Sequence, residues 1–267
     1  LLIVNSGLRL RALASLMVLL LGLAASLSGS DETTTLSRKF TDANQAYSNG
    51  NYAEAVRGYE ELIKIVGPSA DLYYNLGCAA LKAGHLGVAV VNFHRAERLA
   101  PRDEDIRANL KFVQALSKAE GEEENEGNSF IIKTVLRWVF LLTDREVAYF
   151  QLASLIWFAA GITFLALGYS GSLRQAVIVI TAAGFFLLVV NSTIMGIHLY
   201  RDYYVHEAVV VKANAEARSG PGEDNMRVLV MPEGTLIRLR DTRGNWVLVS
   251  LPSGRSGWLK SDVLEEI

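Results

Sequence analysis

Two stretches without a charged side chain, Val147 to Gly168 and Ala176 to Tyr200, constrain this chain more than any other feature. The first is 22 residues long, and at about 1.5 Å rise per residue it reaches across a hydrocarbon core about 30 Å thick. Lipid offers no partner to a bare backbone group, so each stretch predicts a membrane-spanning helix. Thr143 and Glu146 form a capping-box pair ahead of the first span, and residues 169–175, with Gly171, predict a tight turn between the two. The result is a hairpin whose outer ends share one side of the membrane. Asn191, Ser192, Thr193 and His198 interrupt the second span. Asn191, Ser192 and Thr193 are expected to bond across the hairpin or to a partner span, with His198 at the interface; a polar pathway through Asn191 and His198 is the alternative.

A hydrophobic fraction of 51% fits a chain with a membrane component. Arg9 and Arg11, the apolar run Ala12 to Ala25 and the small residues Ala24, Ala25, Ser26 and Ser28 follow the order of a secretory signal. Residues 1–28 are therefore expected to be a signal peptide or, uncleaved, an N-terminal anchor. An export signal followed by two spans puts the soluble parts outside the bacterial inner membrane, on the periplasmic side. The charges run the other way: Lys133, Arg137, Arg145 and Arg201 flank the outer ends, and Arg174 alone occupies the inner turn. The export signal is given precedence. A net charge of −2 argues against nucleic acid as a partner, because a binder must neutralise many phosphates. Proteins and the membrane are the expected partners.

Residues recur at a spacing of 34: Gly50 and Gly84, Ala55 and Ala89, Tyr59 and Phe93. That period belongs to tetratricopeptide repeats, pairs of antiparallel helices that stack on one another. The second copy is fuller, with Tyr73, Leu76, Gly77, Gly84, Ala89, Phe93, Ala96 and Pro101 at signature places; the first has Ala43 and Asp42 where glycine and leucine are usual. Gly77 and Ala89 are expected to let the helices approach, Tyr73, Leu76 and Phe93 to fill the space between them, and Pro101 to stop the second helix. Residues 36–118 thus predict two repeats and a capping helix begun by Asp103. Projected onto the inner face, Phe40, Asn44, Tyr47, Tyr74 and Asn75 are candidate partner-binding residues. Carboxylate-gripping repeats carry basic residues where this chain has Phe40, Asp105 and Asn109, so an extended apolar or neutral segment is the expected ligand.

Residues 119–129 are acidic and poor in apolar side chains, the composition of a solvated linker rather than a calcium loop. Residues 130–142 are apolar apart from Lys133 and Arg137, and too short to span; they predict a helix lying in the membrane interface. Linker and hairpin are expected to keep the repeats apart from the C-terminal segment. From 207 to 267 the periodicity changes to two, with Val209 and Val211, Val228 and Val230, Val247 and Val249 between Gly and Pro clusters, which predicts a small β-barrel.

Within that segment, Ala215 to Gly222 (AEARSGPG), Glu233-Gly234-Thr235, Asn245-Trp246-Val247 and Gly254-Arg255-Ser256-Gly257-Trp258 resemble the bacterial SH3 pattern. Ala215 and Ala217 stand where that family has larger residues, so a loosely packed strand is expected; Trp246 and Trp258 are expected at the barrel's core and rim. The order of repeats, two spans and terminal SH3 domain is similar to BatE-type proteins of bacterial aerotolerance operons, as is the wording of Tyr73 to Gly77 and Ala100 to Leu110. That resemblance implies assembly with envelope proteins of the same operon, including von Willebrand A-domain membrane proteins and a MoxR-type ATPase system, and implies no reaction. The expected architecture is multidomain: an all-α tetratricopeptide array, a two-helix transmembrane hairpin and a small all-β SH3-like barrel.

Catalytic and metal chemistry has no carrier in the pattern. His85, His94, His198 and His206 lack partners at ligand spacing, Gly220 and Gly222 lack the lysine and helix of a phosphate loop, and Cys78 has no basic neighbour to activate it. No metal, cofactor or enzyme activity is expected. The expected role is an interaction scaffold, with peptidoglycan recognition through the SH3-like segment as the alternative.

Overall fold

A computed structural model describes residues 34–117, 130–168 and 170–267. The expected signal segment 1–28 and the acidic linker 119–129 lie outside the described residues. The chain divides into two compact units, Leu1–Pro68 and Ser69–Ile267.

In the first unit α1 (34–48) and α2 (Tyr52–Val66) are joined by a three-residue turn. Gly50 has φ +80°, a left-handed conformation that a side chain would strain. The helices meet at Ala43 and Gly58, where an added Cβ on Gly58 would stand 2.9 Å from Ala43 Cβ. Where Ala43 replaces the usual glycine, the facing helix supplies one. Ala43, Ala46, Ala55, Tyr59 and Leu62 form the buried side.

The second unit begins with α3 (Ala70–Lys82), α4 (Leu86–Leu99) and α5 (Glu104–Ser117). Gly84, in the turn from α3 to α4, also has positive φ, +86°. Gly77 faces Phe93: a Cβ there would lie 3.0 Å from two carbons of that fully buried ring. It is Tyr74, not Tyr73, whose ring packs on Phe93, with centroids 5.8 Å apart; Tyr73 lies instead under the Arg95 guanidinium. The Asp103 carboxylate accepts from the Ile106 N–H at 3.0 Å and caps α5. Ile106, Leu110 and Val113, buried at spacings of four and three, form the inner stripe of α5.

After α6 (Phe130–Val139) come α7 (Asp144–Ala166) and α8 (Gly171–Tyr204), both long and apolar enough to cross a membrane. Thr143 and Glu146 complete the capping box of α7. The second helix is longer than the uncharged stretch: it begins at Gly171, within the expected turn, and continues through charged Arg201 and Asp202 to Tyr204. The pair close on small residues, Gly161 against Thr181 and Gly184 against Trp157. Asn191 donates to the Phe150 carbonyl and Ser154 Oγ, both at 3.4 Å, and Gln151 donates to Ser192 Oγ at 2.9 Å. Thr193 instead bonds back to Val189 of its own helix. Most other Leu, Ile, Val and Phe side chains of both helices point outward, though Val147 is buried and Phe158 packs on Phe185.

The outer ends of the hairpin are tied together. His198, 3% exposed, lies 2.6 Å from Asp144 Oδ1 through Nδ1 and 3.3 Å from the Val139 carbonyl through Nε2. Phe140 covers the imidazole, and Arg201 lies over the same phenyl ring. This cluster fixes the end of α6 on α8, while Arg102, beyond α4, pairs with Glu146.

Two residues after α8, an antiparallel sheet begins: β1 (Glu207–Val210), β2 (Ala215–Arg218), β3 (Arg227–Met231), β4 (Leu236–Arg243), β5 (Trp246–Ser250), β6 (Ser256–Lys260) and β7 (Leu264–Glu266). The strand order is β3-β2-β6-β5-β4-β1-β7. Ala208, Val210, Ala217, Met231, Ile237, Val249 and Leu259 share one core, so the sheet wraps around it. Ala217 is not loosely packed: it is fully buried, and an added Cβ on Gly257 would stand 2.9 Å from its methyl. The small residues allow β2 and β6 to approach.

Nor is the sheet held apart from the helices. Gly87 lies against β1 so closely that a Cβ would fall 2.6 Å from the Val210 carbonyl oxygen and 2.7 Å from Val211 Cα. The Gly87 N–H donates to Glu233 Oε1 at 2.8 Å. Arg95 pairs with Glu265 at 2.8 Å, and Arg98 donates to the Ile267 carbonyl at 2.8 Å. Gly87, Arg95 and Arg98 follow helical spacing along one stripe of α4, while Phe93 serves α3 from another side. One helix thus joins both layers.

Candidate binding surfaces

The motif Arg218 to Gly222 organises a loop. The Arg218 guanidinium donates to the carbonyls of Glu223 and Asn225, the latter at 2.9 Å. Asn225 lies so close to Gly220 and Gly222 that a Cβ on either would come within 3.0 Å of its amide group. The loop carries Glu223 to the mouth of a cleft of about 170 Å³ lined by Glu216, Arg218, Glu223, Trp246, Leu259, Lys260 and Val263.

Trp246, half-buried, forms one wall, and Lys260 lies over its ring, 5.8 Å from the centroid. Lys260 also binds Glu223, and that hydrogen bond is the main reason the Glu223 carboxyl sits below the usual carboxylate range. Arg218 stands 3.3 Å from Glu223 and 3.8 Å from Glu216. The cleft therefore sets two cations and two carboxylates, paired with one another, around an indole. Trp258 plays the other part: it is 8% exposed, with Arg243 over its ring. Met226, just before the edge strand β3, and Val228 and Val230 on it expose an apolar strip.

The five residues expected in a repeat groove fall in different units. In the first, the Asn44 side-chain oxygen accepts from the Tyr59 hydroxyl at 2.7 Å, Phe40 stacks edge-on to Tyr59, and Tyr47 packs against Tyr52. In the second, Tyr74 and Asn75 are half-buried. Asn109 Nδ2 donates to the Tyr74 hydroxyl at 3.1 Å and to the Asp105 carbonyl, so Tyr74 and Asn109 do meet. Burial, reinforced by Cys78, pushes the Tyr74 phenol up to about 12, and burial also raises the Cys78 thiol. Neither group is an activated nucleophile.

His94 has no distinguishing sequence context. It is half-buried between α4 and α5, where Gln114 Nε2 lies 3.2 Å from its Nε2. Burial, then the neighbouring Arg98 cation, lowers its pKa to about 4. A neutral ring accepts from the amide; an imidazolium would set two donors face to face.

Among curated proteins, none matches this chain. Residues 211–266, from the second strand of the sheet onward, match the family model of the bacterial SH3 domain, a match that suggests binding of protein or cell wall.

Proposed function

We propose that this chain is a membrane-anchored scaffold of the bacterial envelope, resembling BatE-type aerotolerance proteins, that holds protein partners at the membrane and catalyses no reaction. The observation that carries this reading is the docking of the bacterial SH3 domain on α4 at the end of the apolar hairpin, which joins two interaction modules to one anchor. Joining weak sites in this way raises the effective concentration of each for its ligand. The helix pairs, with left-handed glycines 34 residues apart at Gly50 and Gly84, support a tetratricopeptide reading of residues 36–118. Phe40, Asn44 and Tyr47 in the first unit, and Tyr74 and Asn75 in the second, are its proposed partner-binding residues. Von Willebrand A-domain membrane proteins are the proposed partners.

Peptidoglycan recognition is the second reading, favoured by the mixed-charge cleft of the bacterial SH3 domain. Two substitutions in the full chain separate binding from folding. Trp258→Ala should destabilise the SH3 domain by about 3 kcal/mol, as for other buried tryptophans, whereas Trp246→Ala should leave it folded and lose the ligand. Crosslinking in intact membranes then reports protein partners, and sedimentation with purified cell wall reports peptidoglycan. Wild-type binding in both assays undiminished by Trp246→Ala would remove the cleft from either reading.

In this proposal the soluble parts lie on the exported side. Protease added to spheroplasts should then digest both the helical region and the SH3 domain. Survival of either until the membrane is breached would overturn that orientation.

A further inference from the structure

At the end of the hairpin that carries the helices and the sheet, the aromatic side chains Trp138, Tyr149, Tyr200, Tyr203 and Tyr204 are each more than 60% exposed. They come from α6, the start of α7 and the end of α8, which the His198 cluster holds together. Rings with an apolar body and a polar edge at the limit of an apolar span suit the headgroup layer of a bilayer. The charges of the same region fall into two groups. Arg201 is used internally, paired with Asp144 and Asp202 and laid over Phe140, and Arg102 is paired with Glu146. Arg137 and Arg145 are exposed, and among the described residues neither has an ionic or side-chain hydrogen-bond partner. The carboxylates Asp144, Glu146 and Asp202 are all engaged by other cations, so the two free guanidinium groups keep their charge for an external anion.

We infer that this end of the hairpin is a binding surface for anionic phospholipid headgroups, held by Arg137 and Arg145 beside Trp138 and Tyr149. The guanidinium fork matches phosphate oxygens in pairs, and a net-negative headgroup adds long-range attraction that a zwitterionic one lacks. The inference rests on the membrane reading above. It gives α6 a part: pinned at Val139 and Phe140, it holds Arg137 and Trp138 next to the first turn of α7. It also accounts for basic residues on a side of the membrane where the positive-inside rule would not put them.

The test uses the full chain, purified in micelles containing equal amounts of phosphatidylglycerol and phosphatidylcholine, with retained lipid counted by native mass spectrometry. Phosphatidylglycerol should be retained roughly tenfold over phosphatidylcholine, given the attraction per basic residue near a charged surface. Arg137→Gln with Arg145→Gln should lose most of that preference, and Arg255→Gln, in the turn between β5 and β6, should keep it. Equal retention of the two lipids by the wild type overturns the inference and leaves the membrane reading standing. An unchanged preference in the double variant also overturns it. Retention of neither lipid overturns the membrane reading, and the inference with it.

Discussion

Gly87→Leu should detach the SH3 domain from α4 while both remain folded. The first added carbon would already fall 2.6 Å from the Val210 carbonyl oxygen and 2.7 Å from Val211 Cα, backbone atoms that cannot rotate away. Overpacking of this kind costs about 1–3 kcal/mol even where side chains yield. Separation also removes the Gly87–Glu233 bond, and that loss weakens α4 itself. His85 at its N-cap makes no side-chain cap, and no acidic residue lies in its first turn. Glu233, 146 residues away, supplies the missing acceptor at the positive end of the helix. Hydrogen exchange on the full chain should show β7 amides exchanging at least tenfold faster in the variant, since about 1.4 kcal/mol of lost protection is a tenfold change. Glu233→Ala should shift the α4 N-terminus in the same direction by a smaller amount. Unchanged protection of β7 in Gly87→Leu would mean that the contact contributes nothing to holding the sheet.

Acidification should loosen the helical part of the second unit through His94. The folded state holds this imidazole near pKa 4 against an ordinary 6.5. As pH falls below 6.5 the unfolded chain takes up a proton first, so stability is fully present above 6.5, declines through the interval and levels off below about 4. At 1.36 kcal/mol per unit, the span amounts to on the order of 3 kcal/mol. Glu97 does not rescue the cation: its carboxylate is 3.9 Å from Nδ1, beyond hydrogen-bond reach, and burial raises its own pKa. A raised acid favours the folded state at low pH and trims the loss. Comparing denaturant melts of wild type and His94→Gln at pH 7 and 4.5 isolates the effect, because glutamine keeps an acceptor for Gln114 without titrating. Equal pH dependence in the two proteins would show that the imidazole is solvated.

Part of the architecture is legible in the sequence because it rests on short-range patterns: uncharged runs and alternating valines. The end of α8 is not, because hydropathy marks where lipid contact stops, whereas a helix continues as long as its backbone bonds do; Arg201 and Asp202 extend it and are held by the His198 cluster. Small residues are harder still. Ala217 reads as a gap because its partner Gly257 lies 40 positions on, and Gly87 gives no hint of its contact because Val210 is more distant yet. A glycine shows what it approaches only in three dimensions. One local feature accompanies the docking: α4 begins without Ser, Thr, Asp or Asn at its N-cap, and the distant Glu233 carboxylate accepts from its Gly87 N–H. The cleft is half visible. Arg218 and Trp246 belong to recognisable motifs, but Lys260 and Glu223 have no special setting in the sequence and acquire one only when the loop after β2 folds over β6.

The unbroken course of α8 makes it a lever. Its 34 residues, at about 1.5 Å each, form a rod about 51 Å long, and pivoting such a rod by about 10° moves its tip by about 9 Å. Helices change tilt to match bilayer thickness, and here the tip passes through only Val205 and His206 before β1 begins. In the membrane reading proposed above, thinning or thickening of the bilayer would move the SH3 domain, and α4, fastened to that domain at Glu233 and Glu265, would be carried with it.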